Sequence, residues 1–229
     1  MSRRLTVNFI IVVFFSIAFA YIESSVVVYL REIFYSDGFD FPLNIFGVDD
    51  FGKRLLLTEI GREAATLVLI LTACTLFGNN RRQRFAYFLG IFAVWDIFFY
   101  IWLKVLLGWP ASVMDWDILF LIPLTWASPV LAPVIISLTM LGFALVILIL
   151  DSKNIHIKPR FWDWAGFAGA SVLAVAMFCH SGRFIHMEDY YTRFNWLGFS
   201  IAELIAIGLF TRSTFEAIKL NKTVQRVTN

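Results

Sequence analysis

Long apolar stretches alternate with short polar segments along nearly the whole chain. Six of these stretches are long enough to cross a membrane: residues 5–30, 55–77, 85–107, 130–150, 162–180 and 196–212. A helix rises about 1.5 Å per residue, so about 20 apolar residues cover a hydrocarbon core of about 30 Å. The pattern predicts an all-α, polytopic transmembrane helical bundle of about six spans.

The apolar run around the fourth span is too long for a single crossing. Residues 118–150 form one run of 33 mostly apolar residues, which would measure about 50 Å as a helix. The run contains Pro123, Pro129 and Pro133, and proline interrupts helical hydrogen bonding. We therefore expect residues 118–132 to form a proline-broken re-entrant or interfacial element in the outer leaflet, before span four. One long, tilted and kinked helix is the alternative.

Small residues recur at helical spacing in two of the predicted spans. Ser16, Ala20 and Ser24 lie four residues apart in the first span, and Gly166 and Ala170 do the same in the fifth. Small side chains on one face let membrane helices approach closely. We assign both sets to helix packing.

The composition supports a membrane protein and leaves no room for a separate soluble domain. Apolar residues make up 59% of the 229 residues, aromatic residues make up 17%, and the mean hydropathy is +0.75. We therefore expect residues 1–229 to form a single integral membrane domain. The net charge of +2 is small, and no basic run interleaved with aromatic residues lies outside the membrane-flanking segments, so nucleic-acid binding is not expected.

The distribution of basic residues predicts an orientation. Six alternating crossings place four polar segments on one side of the membrane, and these hold 12 of the 19 basic residues: Arg3, Arg4, Arg81, Arg82, Arg84, Lys153, Lys158, Arg160, Arg212, Lys219, Lys222 and Arg226. Cytoplasmic segments of membrane proteins carry an excess of Lys and Arg. We therefore predict cytoplasmic N- and C-termini for a protein of the plasma membrane or cell inner membrane.

Ionisable residues occur inside the predicted spans, where acids outnumber bases. The acids are Glu23, Glu59, Glu63, Asp96 and Glu203, and the bases are Arg62 and Lys104. Such residues are costly in lipid and normally face a protein interior or a cavity. Because pairing alone cannot neutralise all five acids, the surplus favours a cation, protons, water or a polar ligand head group. Charge pairs that merely hold the bundle in register are the alternative.

Helical spacing places several of these groups on common faces. Glu59, Glu63 and Thr66 share one stripe of the second span. In the third span, Asp96, Tyr100 and Lys104 share another. We expect the two polar stripes to face each other inside the bundle.

We therefore expect one polar cavity that opens to the extracytoplasmic side. Acids from four spans would line it: Glu23, Glu63, Asp96 and Glu203. Arg62 and Lys104 would act as counter-charges, because a buried carboxylate without a partner takes up a proton. Asp115, Asp117 and His180 lie near its mouth. For Asp115 and Asp117 a capping or turn role is an alternative, and His180 could be an interfacial histidine.

The candidate ligand-binding residues are therefore Glu23, Glu59, Arg62, Glu63, Asp96, Tyr100, Lys104, Asp115, Asp117, His180 and Glu203. The sequence contains no motif that specifies a reaction, a cofactor or a metal, so enzyme status stays open. The favoured function is binding or processing of an amphipathic, lipid-like small molecule. Two alternatives are an accessory or scaffold subunit of a larger membrane complex and an ion- or proton-coupled carrier. Membrane lipids, and other membrane subunits, are the partners considered.

Overall fold

The computed structural model describes residues 3–35, 38–42 and 50–228, which form six long α-helices and one β-hairpin. The helices are α1 (Arg3–Phe34), α2 (Asp50–Phe77), α3 (Arg81–Leu107), α4 (Leu131–Ser152), α5 (Phe161–Gly182) and α6 (Trp196–Thr228). Helices α1 to α5 are long and apolar enough to cross a membrane. The predicted helical membrane bundle is thus confirmed, and the chain is an integral membrane protein.

Helix α3 lies at the centre of the bundle and packs against α1, α2 and α4. Its contact with α1 is close because Ser16, Ala20 and Ser24 are fully buried, in agreement with the packing role predicted for them. The Ser24 hydroxyl also donates to the Phe99 carbonyl oxygen at 3.1 Å. This hydrogen bond fixes the position of α1 relative to α3 along the axis of the bundle.

Helices α5 and α6 form a second packing unit in which the two helices run antiparallel. Gly166 on α5 faces α6 so closely that a Cβ atom there would lie 2.5 Å from Leu209 Cδ1. One turn earlier on α5, Asp163 accepts a hydrogen bond from Arg212, which follows Leu209 on α6. The first turn of α5 is therefore level with the middle of α6.

A β-hairpin connects α3 to α4, with strands β1 (Trp116–Phe120) and β2 (Trp126–Pro129). Its prolines occupy compatible positions: Pro123 lies between the strands, Pro129 ends β2, and Pro133 lies in the first turn of α4. The expectation that residues 118–132 do not extend α4 as one straight helix is confirmed. The strands were not predicted, so the bundle is all-helical except for this hairpin.

The two ends of the bundle differ in chemistry. At one end, which we call the basic end, Asp151 at the close of α4 accepts hydrogen bonds from Arg82 and Gln83 of α3, both at 2.9 Å. The opposite end, which we call the hairpin end, contains an aromatic cluster around Trp116, Phe178, Phe194 and Phe199. This cluster fixes the hairpin against α5 and the beginning of α6.

Candidate ligand-binding site

A cavity of about 320 Å³ lies between α1, α2, α3, α4 and the hairpin, and we call it the acidic cavity. Its volume falls in the range of about 300–1,000 Å³ that is typical of small-molecule sites. Seven of the eleven candidate residues line it: Glu23, Glu59, Arg62, Glu63, Asp96, Tyr100 and Asp117. The two predicted polar stripes of α2 and α3 therefore do meet in one space.

Arg62 on α2 is shared between two carboxylates of this cavity. Its guanidinium group forms ion pairs with Glu23 of α1 and with Glu59, one turn earlier on α2. The Arg62 Nε atom lies 3.0 Å from Glu59 Oε2. Thr66 Oγ1 donates to Glu23 Oε1 at 2.5 Å. Both oxygens of the buried Glu23 side chain are thus satisfied, and the cluster joins α1 to α2.

A second ion pair joins α1 to the hairpin. Arg31 Nη2 lies 2.8 Å from Asp117 Oδ1, and both side chains are buried. The guanidinium group lies over the rings of Phe39 and Trp109, with its Cζ atom 3.9 Å from each ring centre. Burial raises the pKa of the Asp117 carboxyl group, although Arg31 and the Ile118 amide oppose the effect. Tyr100 is buried beside this pair.

Glu63 and Asp96 differ from the other acids because neither forms a salt bridge with a described residue. Glu63 Oε2 accepts a hydrogen bond from the Leu121 amide at 2.8 Å. Asp96 Oδ2 accepts one from the Ser137 hydroxyl at 2.8 Å. Both residues are more than nine-tenths buried. Their second carboxyl oxygens receive no hydrogen bond from the described part of the chain and remain acceptors for a group inside the cavity.

Four buried polar atoms on cavity-lining residues also lack a hydrogen-bond partner among the residues that the structure describes. They are Arg31 Nη1, Trp95 Nε1, Asp117 Oδ2 and Trp126 Nε1. Buried polar groups are normally hydrogen-bonded, because leaving one unsatisfied costs about 1–3 kcal/mol. Three of the four atoms are N–H donors. A polar group with acceptor oxygens in the cavity would satisfy them.

The rest of the lining is aromatic and aliphatic. Phe92, Trp95 and Phe99 project from α3, and Phe120 projects from the hairpin. Trp95 packs against Phe99 and Phe120, with ring centres 6.3 Å apart in both pairs. The cavity thus combines charged groups with apolar walls, as sites for amphipathic molecules do.

Two of the predicted site residues have local structural roles instead. Lys104 Nζ is exposed and donates to the Gly108 and Pro110 carbonyl oxygens, at 2.9 and 2.8 Å. The expectation that Lys104 is a counter-charge in the cavity is therefore wrong, because its ammonium group caps the C-terminal end of α3. Asp115 Oδ2 accepts hydrogen bonds from the Ala111 and Ser112 amides, which is the turn role considered as its alternative.

The other two predicted residues lie away from the acidic cavity. The His180 side chain is exposed and its ring packs against Phe184, with ring centres 5.2 Å apart. Glu203 accepts a hydrogen bond from Thr139 at 2.9 Å. It lines a second cavity of about 630 Å³ between α3, α4, α5 and α6. The prediction of a single cavity that includes Glu203 is wrong, because α6 packs mainly with α5 and Glu203 therefore faces the second cavity.

Several residues of the acidic cavity are not among the candidates predicted from the sequence. Arg31 lies one residue beyond the predicted end of the first span, yet Glu23, Val27 and Arg31 recur every four residues and all line the cavity. That spacing could have identified Arg31. Ser137 and Trp126 carried no comparable signal, since Ser137 reaches the cavity through the packing of α4 on α3 and Trp126 through the folding of the hairpin.

Within the described ranges, no group of three or more His, Cys, Asp or Glu residues is arranged to hold a metal ion. The chain matches no protein-family model, no curated protein and no solved structure.

Proposed function

We propose that this membrane protein binds an amphipathic, lipid-like molecule in the acidic cavity. The observation that carries the proposal is a set of buried polar atoms without hydrogen-bond partners among the described residues, in a cavity whose remaining walls are apolar. Asp96 and Glu63 each offer a carboxyl oxygen, and buried N–H groups of Trp95 and Arg31 lack acceptors. A polar head group would satisfy these atoms, and the aromatic walls would contact its apolar part.

The position of the cavity supports a ligand drawn from the membrane. Leu30 and Phe34 of α1 and Leu55 and Leu56 of α2 contribute to its lining, and Leu56 is itself exposed on the outside of the bundle. In a membrane, this exposed apolar surface faces lipid chains. An amphipathic molecule can therefore enter from the lipid phase with its head group directed at α3.

We also propose six spans with both termini in the cytoplasm and the hairpin in the outer leaflet, as a re-entrant or interfacial element. The antiparallel packing of α6 on α5 supports a sixth crossing, because Arg212 lies level with Asp163 at the basic end. The excess of Lys and Arg at that end supports its cytoplasmic location. The acidic cavity would then lie in the outer half of the plasma or inner membrane.

Lipid analysis of the purified protein tests the binding function. The protein is extracted in mild detergent, and retained amphiphiles are identified by mass spectrometry and compared with the bulk membrane lipids. We expect an enriched amphiphile with wild-type protein and its loss from Asp96→Asn and Glu63→Gln. The isosteric amides preserve the side-chain volume, but they remove the charge and replace one acceptor oxygen by an NH₂ group. Elution volume on gel filtration verifies that each variant is folded.

Glu203→Gln is the matched control, since Glu203 is also a carboxyl group inside the bundle but belongs to the second cavity. It should retain the amphiphile as the wild type does. A wild-type protein without any enriched amphiphile would contradict the proposal, and so would equal retention by Asp96→Asn, Glu63→Gln and Glu203→Gln.

A further inference from the structure

The charges that line the acidic cavity do not balance. Among the described residues, five carboxyl groups face two guanidinium groups. Arg62 is paired with Glu23 and Glu59, and Arg31 is paired with Asp117. Glu63 and Asp96 are left over. An anionic ligand would favour the protonated, uncharged form of these two carboxyl groups, whereas a cationic ligand would favour their charged form and pair with it.

Asp96 has the surroundings that suit an organic cation. It lies near the centre of α3 and lines the same cavity as the Asp117 carboxyl group. Three aromatic residues of the same helix, Trp95, Phe99 and Tyr100, line the cavity together with Asp96. Aromatic faces attract ammonium groups in addition to the attraction of a carboxylate. A protonated amine would therefore find both kinds of partner at Asp96.

The unsatisfied donors add a second requirement on the head group. The buried N–H groups of Trp95 and Trp126, together with one Nη atom of Arg31, have no acceptor among the described residues. All three side chains line the same cavity as Asp96. A bare alkylamine would leave these donors unsatisfied. An oxygen atom next to the amine, in a hydroxyl or an ester, would accept from one of them.

We infer that the amphiphile has a cationic head group, a protonated amine next to a neutral oxygen acceptor, with Asp96 and Glu63 accepting from the amine. This inference rests on the proposed function, because it specifies the head group of the ligand proposed above. Long-chain amino alcohols are the simplest members of the class. The inference excludes acidic lipids and free fatty acids as preferred ligands.

Three probes of equal chain length separate charge from the other properties of the head group. N-dodecylethanolamine carries a protonated amine and a hydroxyl group, N-dodecanoylethanolamine replaces the amine by a neutral amide, and dodecanoate is an anion. Binding is measured by native mass spectrometry on wild-type protein in phosphatidylcholine nanodiscs at neutral pH. We expect the amine to bind at least about tenfold more tightly than the amide, and dodecanoate to bind most weakly.

Asp96→Asn and Glu63→Gln should each remove most of the preference for the amine over the amide, and Glu203→Gln should leave it unchanged. The comparison of probes on the wild-type protein stands even if one variant fails to fold. Equal saturable binding of all three probes would overturn the head-group inference and leave the proposed function intact. Absence of saturable binding by any probe, combined with no retained amphiphile, would overturn both.

Discussion

Arg31 shows how a single charged side chain can be held inside an apolar bundle. Its guanidinium group has one carboxylate partner, Asp117, and lies against two aromatic rings, Phe39 and Trp109. A buried ion pair adds little stability compared with well-packed apolar residues, but removing one partner leaves the other charge buried alone. The Arg31–Asp117 ion pair therefore holds strand β1 against helix α1.

Asp117→Asn tests this dependence at the level of one residue. Because the substitution leaves the Arg31 guanidinium group without its charged partner, we expect the free energy of unfolding to fall by about 3–5 kcal/mol. Glu216→Gln is the control, since the Arg160–Glu216 pair is exposed on both sides and should contribute less than about 1 kcal/mol. Thermal and denaturant unfolding in detergent measure both. Similar losses for the two variants would contradict the structural role of the buried pair.

Site residues could be predicted from sequence where they lie on one helical stripe. Glu59, Glu63 and Thr66 share a face of α2, and all three line the acidic cavity as that spacing implies. The same reasoning failed for Lys104, and the expectation that acids at similar depth in different spans share one cavity failed for Glu203. Depth along a span does not determine which neighbouring helix a side chain meets, nor whether a long Lys side chain turns back to cap its own helix.

The hairpin is the element that connects the acidic cavity to the second helix pair. Gly182, the last residue of α5, lies so close to the turn of the hairpin that a Cβ atom there would collide with the Thr125 carbonyl oxygen. Since a backbone atom cannot rotate away, only glycine fits without displacement of the turn. Leu121 in the same loop donates its amide to Glu63, so a displaced turn would disturb the cavity.

Gly182→Ala should therefore destabilise the protein and weaken ligand retention together. We expect a loss of about 1–3 kcal/mol, the usual cost of overpacking a tight contact. Gly169→Ala on the same helix is the control, because a Cβ atom there meets nothing within 4 Å and alanine favours a helix by about 1 kcal/mol. Melting temperature and retained amphiphile are the measurements. Unchanged retention in a destabilised Gly182→Ala protein would separate the hairpin position from the site.

The helices could be predicted from the sequence because each contains an apolar run of about 20 residues, which periodicity and length identify. The strands could not. Each has four or five residues inside a longer apolar run, and such a short segment does not distinguish a strand from a helix. The prolines correctly indicated that the run is broken, but not that residues on either side of Pro123 pair with each other.

The whole molecule consists of a group formed by α1 to α4 and a pair formed by α5 and α6, joined mainly through packing of β2 against α5. The two cavities lie on either side of a shared partition formed by Phe92, Trp126, Ile136 and Phe178. Trp126 and Phe178 stack at a centroid distance of 5.9 Å. The carboxyl groups of the acidic cavity are thereby separated from Glu203 by aromatic side chains.

The number of spans and the side of the membrane on which the acidic cavity opens can both be tested by cysteine labelling. In a background with Cys74 and Cys179 replaced by alanine, single cysteines are placed at Lys153, Glu188 and Lys222, which are all exposed. If α6 crosses the membrane, Lys153 and Lys222 lie on the same side, because each is separated from Glu188 by one crossing. We expect a membrane-impermeant maleimide to label Glu188→Cys in intact cells, and to label the other two variants only after permeabilisation, because Lys and Arg accumulate on the cytoplasmic side.

Labelling of Lys222→Cys but not Lys153→Cys in intact cells would mean that α6 does not cross. Labelling of both Lys153→Cys and Lys222→Cys, but not of Glu188→Cys, would invert the orientation and place the acidic cavity in the cytoplasmic half of the membrane.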